Sequence, residues 1–209
     1  MASVNRRDFL RHTTLAGAAA ATAGFSINAL GANERVVVGI MGCRGRGNFL
    51  AGEFAKREDV DIRYIADPDS RIFESRAGNV EKISGKRPKC TQDFREVLDD
   101  AEVDAIVNAT PDHWHAPGTI YACQSGKDVY VEKPTSHNIW ESRKMIEAAR
   151  KYKRVVQVGT QNRSAPYCYE AFEYIRSAAF GDVHFVRVLN SKRRGAIGKK
   201  EDQPTPPEG

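Results

Sequence analysis

The stretch Val36-Val37-Val38-Gly39-Ile40-Met41-Gly42-Cys43-Arg44-Gly45-Arg46-Gly47 decides the fold. Its first half is a near-continuous β-branched run, as in a strand buried on both faces. Its second half spaces glycines through a turn, and from Gly47 to Lys56 the pattern becomes helical. In a Gly-x-Gly-x-x-Gly turn the glycines make the bend, bring bare backbone against a pyrophosphate and seat the helix on the strand. Gly42 and Gly47 take the first and third places, while Arg44 stands at the second. A Cβ at position 44 crowds a pyrophosphate, although Gly45 lets the loop shift and the guanidinium offers a charge to phosphate. Gly42, Cys43, Arg44, Gly45, Arg46 and Gly47 therefore form a candidate dinucleotide cradle, the alternative being a merely glycine-rich turn.

Beyond this stretch, apolar runs alternate with helical patterns. Strands are predicted at 60–66, 103–109, 128–131 and 155–158, and helices at 70–83, 93–98, 117–125 and 139–152. Asp93 or Thr91 is the expected cap of the short helix, and Gly126 the stop of the next. Such alternation makes an α/β, Rossmann-type doubly wound parallel sheet with helices on both faces. A helix over 167–178 and a strand over 183–189 follow, then a basic loop (Lys192, Arg193, Arg194, Lys199, Lys200) and a proline-rich tail. The predicted organisation is a leader over 1–32, a nucleotide-binding domain over 33–160, and over 161–209 a linker helix with the first strand of a truncated α+β substrate domain.

Asp67 closes the second predicted strand, 25 positions beyond Gly42. A carboxylate there can accept from the adenosine-ribose hydroxyls and disfavours a 2′-phosphate, so NAD is expected over NADP, with Arg71 placed to soften that preference. The other reading of Asp67 is a cap for the following helix.

Asn5-Arg6-Arg7-Asp8-Phe9-Leu10-Arg11 precedes a stretch free of charged residues from His12 to Asn33. Paired arginines before x-Phe-Leu resemble the twin-arginine export signal, with Asn5 and Arg11 as mild departures. Its alanines and glycines supply little transfer energy, and small residues at Ala29, Gly31 and Ala32 offer cleavage positions. The expectation is a periplasmic or secreted protein, exported folded, with no stable membrane insertion once the signal is removed; a retained anchor is the alternative. The whole chain of 209 residues carries 32 Lys and Arg against 27 Asp and Glu, a net +5. Loss of Arg6, Arg7, Arg11 and Asp8 with the leader lowers that to +3. With acids interleaved among the bases, no nucleic-acid partner is expected. Four cysteines without a C-x-x-C pair give neither a zinc signature nor a disulfide scaffold.

Three further segments fall at the ends of later strands: Asn108-Ala109-Thr110-Pro111-Asp112-His113-Trp114-His115, Glu132-Lys133-Pro134, and Gly159-Thr160-Gln161-Asn162-Arg163-Ser164. Their order and wording resemble the glucose-fructose oxidoreductase and inositol 2-dehydrogenase family (Gfo/Idh/MocA), in its secreted branch. The resemblance implies hydride transfer between NAD and a secondary hydroxyl of a sugar or cyclitol, or an NAD-retaining glycosidase, in a homo-oligomer. It implies that Thr110 and Pro111 line the cofactor's ribose and nicotinamide side with His115 nearby, and that Glu132 contacts the nicotinamide ribose. Lys133 would be the catalytic lysine beside the nicotinamide and the reacting carbon, with Gln161 and Arg163 facing nicotinamide or substrate. A cation beside a sugar hydroxyl stabilises a developing alkoxide whatever the family name. Family members carry a second domain with a catalytic histidine that has no counterpart in this chain, which leaves an inactive nucleotide-binding fragment as a third reading. Asp112, His113 and His115 make only a partial ligand set, so no metal is expected. Trp114 reads first as packing, Cys43 as a packing residue, and His137 and His184 as structural or surface residues.

Overall fold

The computed structural model describes residues 35–189. The leader, the basic run and the proline-rich tail lie outside the described residues. Six parallel strands form one sheet: β1 (Val36–Met41), β2 (Val60–Ala66), β3 (Lys89–Thr91), β4 (Ala105–Asn108), β5 (Asp128–Val131) and β6 (Val156–Val158). Their spatial order is β3-β2-β1-β4-β5-β6, the order of a dinucleotide-binding sheet. The chain steps outward from β1 to β3, then returns to lay β4 on the other side of β1. A crevice opens at that reversal, outside the carboxyl ends of β1 and β4.

The described residues hold six α-helices: α1 (Gly45–Ala55), α2 (Phe73–Ser84), α3 (Phe94–Asp99), α4 (Asp112–Gln124), α5 (Ile139–Tyr152) and α6 (Pro166–Arg176). Because side chains alternate across a strand, β1 sends Val38 and Ile40 into one core and Met41 into the other. Leu50, Ala51 and Ala55 of α1 and Val80 of α2 cover the first face. Val97 and Leu98 of α3, Ala116, Ala122 and Cys123 of α4, and Met145 and Ala148 of α5 cover the second. Burial on both faces explains why the apolar runs lack polar alternation.

The expected sheet is present, with four corrections. β3 carries no apolar run; at three residues it is too short for periodicity to register. The helix expected at 117–125 starts five residues earlier, at Asp112, so Pro117 sits inside α4 rather than at its start. The helix expected from Ser70 opens as a 3₁₀ turn over Ser70–Ile72, capped when Asp69 accepts the Arg71 N–H, and becomes α-helical at Phe73. Residues 183–189 form no strand, since they pair with neither β3 nor β6, the two edges of the sheet. A β-rich composition makes a strand only where another strand supplies its hydrogen bonds, and Phe185 and Val188 are 81% and 85% exposed. The short helix behaves as expected: Asp93 Oδ1 accepts from Arg95 N–H at 3.0 Å, and Thr91 Oγ1 accepts from Asp93 N–H at 3.1 Å.

Candidate functional site: a nucleotide crevice

The loop joining β1 to α1 is closed by contacts that only glycine permits. Gly42 has φ of +80°, and a Cβ there would lie 2.7 Å from the Thr110 backbone. A Cβ on Gly47 would lie 1.8 Å from the Gly42 carbonyl oxygen. Around Gly45, by contrast, a Cβ meets nothing within 4 Å, so the first turn of α1 opens onto empty space. The N–H groups of a helix's first turn have no partners within the helix and favour an anion. Bare loop, open space and helix start together fit a pyrophosphate.

Arg44 precedes the first turn of α1, and its guanidinium leaves the loop and pairs with Asp69. The arginine at the second glycine position is thus drawn toward the end of β2 rather than over the helix start. Cys43 is buried, with its thiol on the carbonyls of Ile40 and Ala66, and burial pushes that thiol well above its ordinary pKa. It packs the loop, as the sequence reading allowed.

Asp67 is not the cap of the following helix, since Asp69 caps the 3₁₀ turn. Its Oδ2 accepts from Cys43 N–H at 2.8 Å and its Oδ1 from Asp69 N–H at 3.0 Å. The buried carboxylate thus fastens the glycine loop to the turn after β2, and Asp67 is one of the residues lining the crevice. The crevice has a volume of about 700 Å³ and runs from Gly42 and Asp67 to Thr110 and Trp114. Phe94 and Trp114 form one wall, edge to face with ring centroids 5.9 Å apart. Pro68 and Gln92 contribute to the lining, Gln92 donating to the Pro68 carbonyl at 2.9 Å. This flat apolar slot beside a carboxylate suits an adenosine.

Gln92 and Phe94 line the crevice and are not among the residues that the sequence singles out. They follow β3, so missing that strand concealed them; recognising it would have flagged both by the rule that ligands bind beyond the carboxyl ends of strands.

The segments after β4, β5 and β6 converge beyond the other side of the loop. Thr110 hydroxyl donates to Asn108 Oδ1 at 2.6 Å, and buried Asn108 donates to the His115 carbonyl at 3.0 Å. Pro111, exposed on the rim, precedes the first turn of α4.

Two residues that the resemblance places at or near the cofactor make ties within the protein. His115 is 1% exposed and places its ring nitrogens on the carbonyls of Thr110 (2.8 Å) and Pro134. It holds the segments after β4 and β5 together. A neutral ring donates to one of these carbonyls, an imidazolium to both. Glu132 is also buried, and accepts from Arg46 Nε at 2.6 Å and from Lys133 N–H at 3.2 Å. Its Oε1 is thus bonded to a side chain of α1. With its amide oriented to satisfy its neighbours, Gln161 donates to Gly159 carbonyl at 2.7 Å and accepts from Arg46 at 2.8 Å. Arg46 therefore ties together the ends of β1, β5 and β6.

Lys133 is exposed at the carboxyl end of β5, just before the cis peptide to Pro134. Arg163 is exposed in the 3₁₀ turn after β6. Asp112, His113 and His115 do not converge, since both His115 nitrogens face backbone carbonyls. Among the described residues no three His, Cys, Asp or Glu side chains gather as a metal site, and no helix is long and apolar enough to cross a membrane.

Comparison with known proteins agrees with this geometry. The chain is 32% identical over 153 residues to an inositol 2-dehydrogenase of Rubrobacter xylanophilus, covering 72% of this chain and 42% of that protein. It is 24% identical over 172 residues to a glycosyl hydrolase family 109 protein of Shewanella baltica, covering 71% of this chain and 38% of that one. The crystal structure of GenD2 from gentamicin A biosynthesis, in complex with NAD, superposes with a TM-score of 0.62 at 27% identity, over 70% of this chain and 40% of that one. The chain thus spans about two fifths of the length of the relatives it matches. Residues 36–160 match the sequence profile of the Gfo/Idh/MocA oxidoreductases, the oxidoreductase family with an NAD-binding Rossmann fold, and the chain belongs to that family.

Proposed function

We propose that this chain forms the nucleotide-binding part of an enzyme that moves a hydride between NAD and a secondary hydroxyl of a sugar or cyclitol. The observation that carries the reading is Lys133: the only cation of the Glu132-Lys133-Pro134 segment, it lies exposed at the end of β5 while its own N–H is held by buried Glu132. Gly42, Gly45 and Gly47 would receive the pyrophosphate, Asp67 the adenosine ribose, and Phe94 and Trp114 the adenine. When bound, NAD supplies the carbon that accepts the hydride. The Lys133 ammonium donates to the reacting hydroxyl oxygen and stabilises the alkoxide as the hydroxyl proton leaves. The base receiving that proton is the histidine that the family resemblance implies for a second domain. Thr110, Gln161 and Arg163 flank the same region, Arg163 as a substrate contact.

The similarity to a protein named inositol 2-dehydrogenase supports a polyhydroxylated ring as substrate. Similarity to a glycosyl hydrolase family 109 protein and to a protein named α-N-acetylgalactosaminidase, 26% identical over 174 residues, supports a second reading. In it the hydride is returned within one turnover and a glycosidic bond is broken; NADH accumulating in step with substrate loss refutes it. The proposal includes export by the twin-arginine route, checked by whether Arg6→Lys with Arg7→Lys retains the protein in the cytoplasm.

Calorimetric titration with NAD⁺ and absorbance of reduced nicotinamide over a panel of sugars and cyclitols test the principal reading. Lys133→Ala should hold NAD⁺ within about threefold of the unaltered affinity, and the matching substitution in a full-length relative should lose substrate-dependent reduction while keeping NAD⁺. Equal loss of binding and reduction contradicts the role given to Lys133. Failure of the unaltered chain to bind NAD⁺ overturns the reading as a whole.

A further inference from the structure

At the carboxyl end of β2 the chain turns through Asp67, Pro68 and Asp69, and two guanidiniums converge on the last of these. Asp69 Oδ1 accepts from Arg71 Nε at 2.7 Å and from Arg71 N–H at 3.2 Å. Its Oδ2 accepts from Arg71 Nη2 at 3.0 Å and from Arg44. The arginine side chains are 67% and 73% exposed, at Arg44 and Arg71 respectively, whereas Asp69 is 10% exposed. Arg44 comes from the glycine loop and Arg71 from the 3₁₀ turn, so both overhang the corner where Asp67 marks the adenosine ribose. Asp67 and Asp69 formally offset Arg44 and Arg71, and Arg76, which donates to the Cys43 carbonyl at 2.9 Å, is a third guanidinium near the loop.

We propose that Asp69 is a specificity-determining residue: by holding Arg44 and Arg71 it denies them to a ribose 2′-phosphate and keeps the crevice selective for the dinucleotide with a free 2′-hydroxyl. The inference rests on the reading of the crevice as an NAD site. A phosphate monoester carries nearly two negative charges and several strong acceptor oxygens, and arginine pairs with such groups through two parallel N–H bonds. Two guanidiniums at one corner are therefore the components of a 2′-phosphate site. Here they are spent on a carboxylate, which also repels the phosphate as a like charge. Asp69 is the carboxylate that both guanidiniums bond, so neutralising it alone should release both arginines. Asp67 stays in place, fixed by the N–H groups of Cys43 and Asp69, and its preference for a ribose hydroxyl limits the switch.

Asp69→Asn in the full chain tests this, because asparagine keeps the side-chain oxygen that caps the 3₁₀ turn. Asp69→Ser, also neutral and able to cap, serves as the second variant. NAD⁺ and NADP⁺ affinities are measured by calorimetry at low ionic strength for the unaltered chain, both variants, and Asp69→Asn combined with Arg44→Ala and Arg71→Ala. NADP⁺ should bind about tenfold or more tighter to the neutral variants, NAD⁺ should change by less than about threefold, and the triple variant should lose the gain. Unchanged NADP⁺ affinity in both neutral variants with normal NAD⁺ binding overturns the proposal and leaves the NAD reading standing. A gain that survives in the triple variant also overturns it, since the attraction would then not come from the guanidiniums. If the unaltered chain binds neither nucleotide, the crevice assignment falls, and this inference with it.

Discussion

Replacing Gly47 with alanine places a methyl group 1.8 Å from the Gly42 carbonyl oxygen. To restore even a tight 3.0 Å, helix and loop must separate by about 1.2 Å. The obstacle is backbone, so no rotamer change relieves it. Within a helix, alanine is favoured over glycine by about 1 kcal/mol, while overpacking costs about 1–3 kcal/mol and reaches its upper end against a rigid neighbour. The net expectation is a loss of about 2 kcal/mol, which for a unit of roughly 150 residues lowers the melting temperature by about 4–8 °C. Gly45→Ala is the matched control, because a Cβ there meets nothing within 4 Å. Its stability should stay within about 0.5 kcal/mol of the original. Its NAD⁺ affinity should nonetheless fall about tenfold, since the methyl occupies the space through which a pyrophosphate approaches the backbone. Thermal and urea unfolding give the stabilities, and calorimetry the affinities. If Gly47→Ala melts within about a degree of the original, α1 is not seated on the loop through Gly47 and the packing argument fails.

Other perturbations probe the ties around the crevice. Arg46→Met leaves buried Glu132 without its 2.6 Å partner and should cost about 2 kcal/mol in urea unfolding, less than for a fully buried pair because Arg46 is 36% exposed. Adding Glu132→Gln should recover most of that loss. Hydrogen bonds from Arg71 hold the Asp69 carboxyl down to about 2. Its contribution to stability is therefore complete above an unfolded value near ~4 and disappears as pH falls through about 2. An NMR titration of that carboxyl should find its midpoint there and see it rise in Arg71→Ala. Burial raises the Cys43 thiol and closes off the sulfur, so mass spectrometry after alkylation at neutral pH should find Cys43 and Cys123 modified only once the protein unfolds, with half-buried Cys168 modified first.

The central architecture is legible in the sequence because its physics is local. β2, β5 and α5 have the limits that their apolar runs and caps indicate, with Asn138 accepting from Glu141 N–H at 2.9 Å to start α5. Gly42, Gly47 and Asp67 are also legible, because each is constrained by a turn or a strand end. What stays hidden depends on distant partners. Arg46 and Glu132 are separated by 86 positions, and no spacing rule joins them. His115 reads as a site residue by its chemistry, yet both ring nitrogens are committed to backbone carbonyls from two different segments. β3 exists because β2 offers it an edge, while 183–189, with a better strand composition, finds none. Composition proposes strands; pairing decides them.

β1 begins at Val36 in the middle of the sheet, and its six residues carry the chain across to the glycine loop, about 20 Å at the ordinary rise of a strand. Whatever precedes Val36 is therefore attached at the amino edge of the sheet, a full strand length from the mouth that receives NAD. The export signal proposed above would join the chain at that amino edge, while the crevice lies at the carboxyl ends of the strands. The polarity of one strand thus separates the point where the proposed export signal joins the sheet from the opening proposed to take the nucleotide.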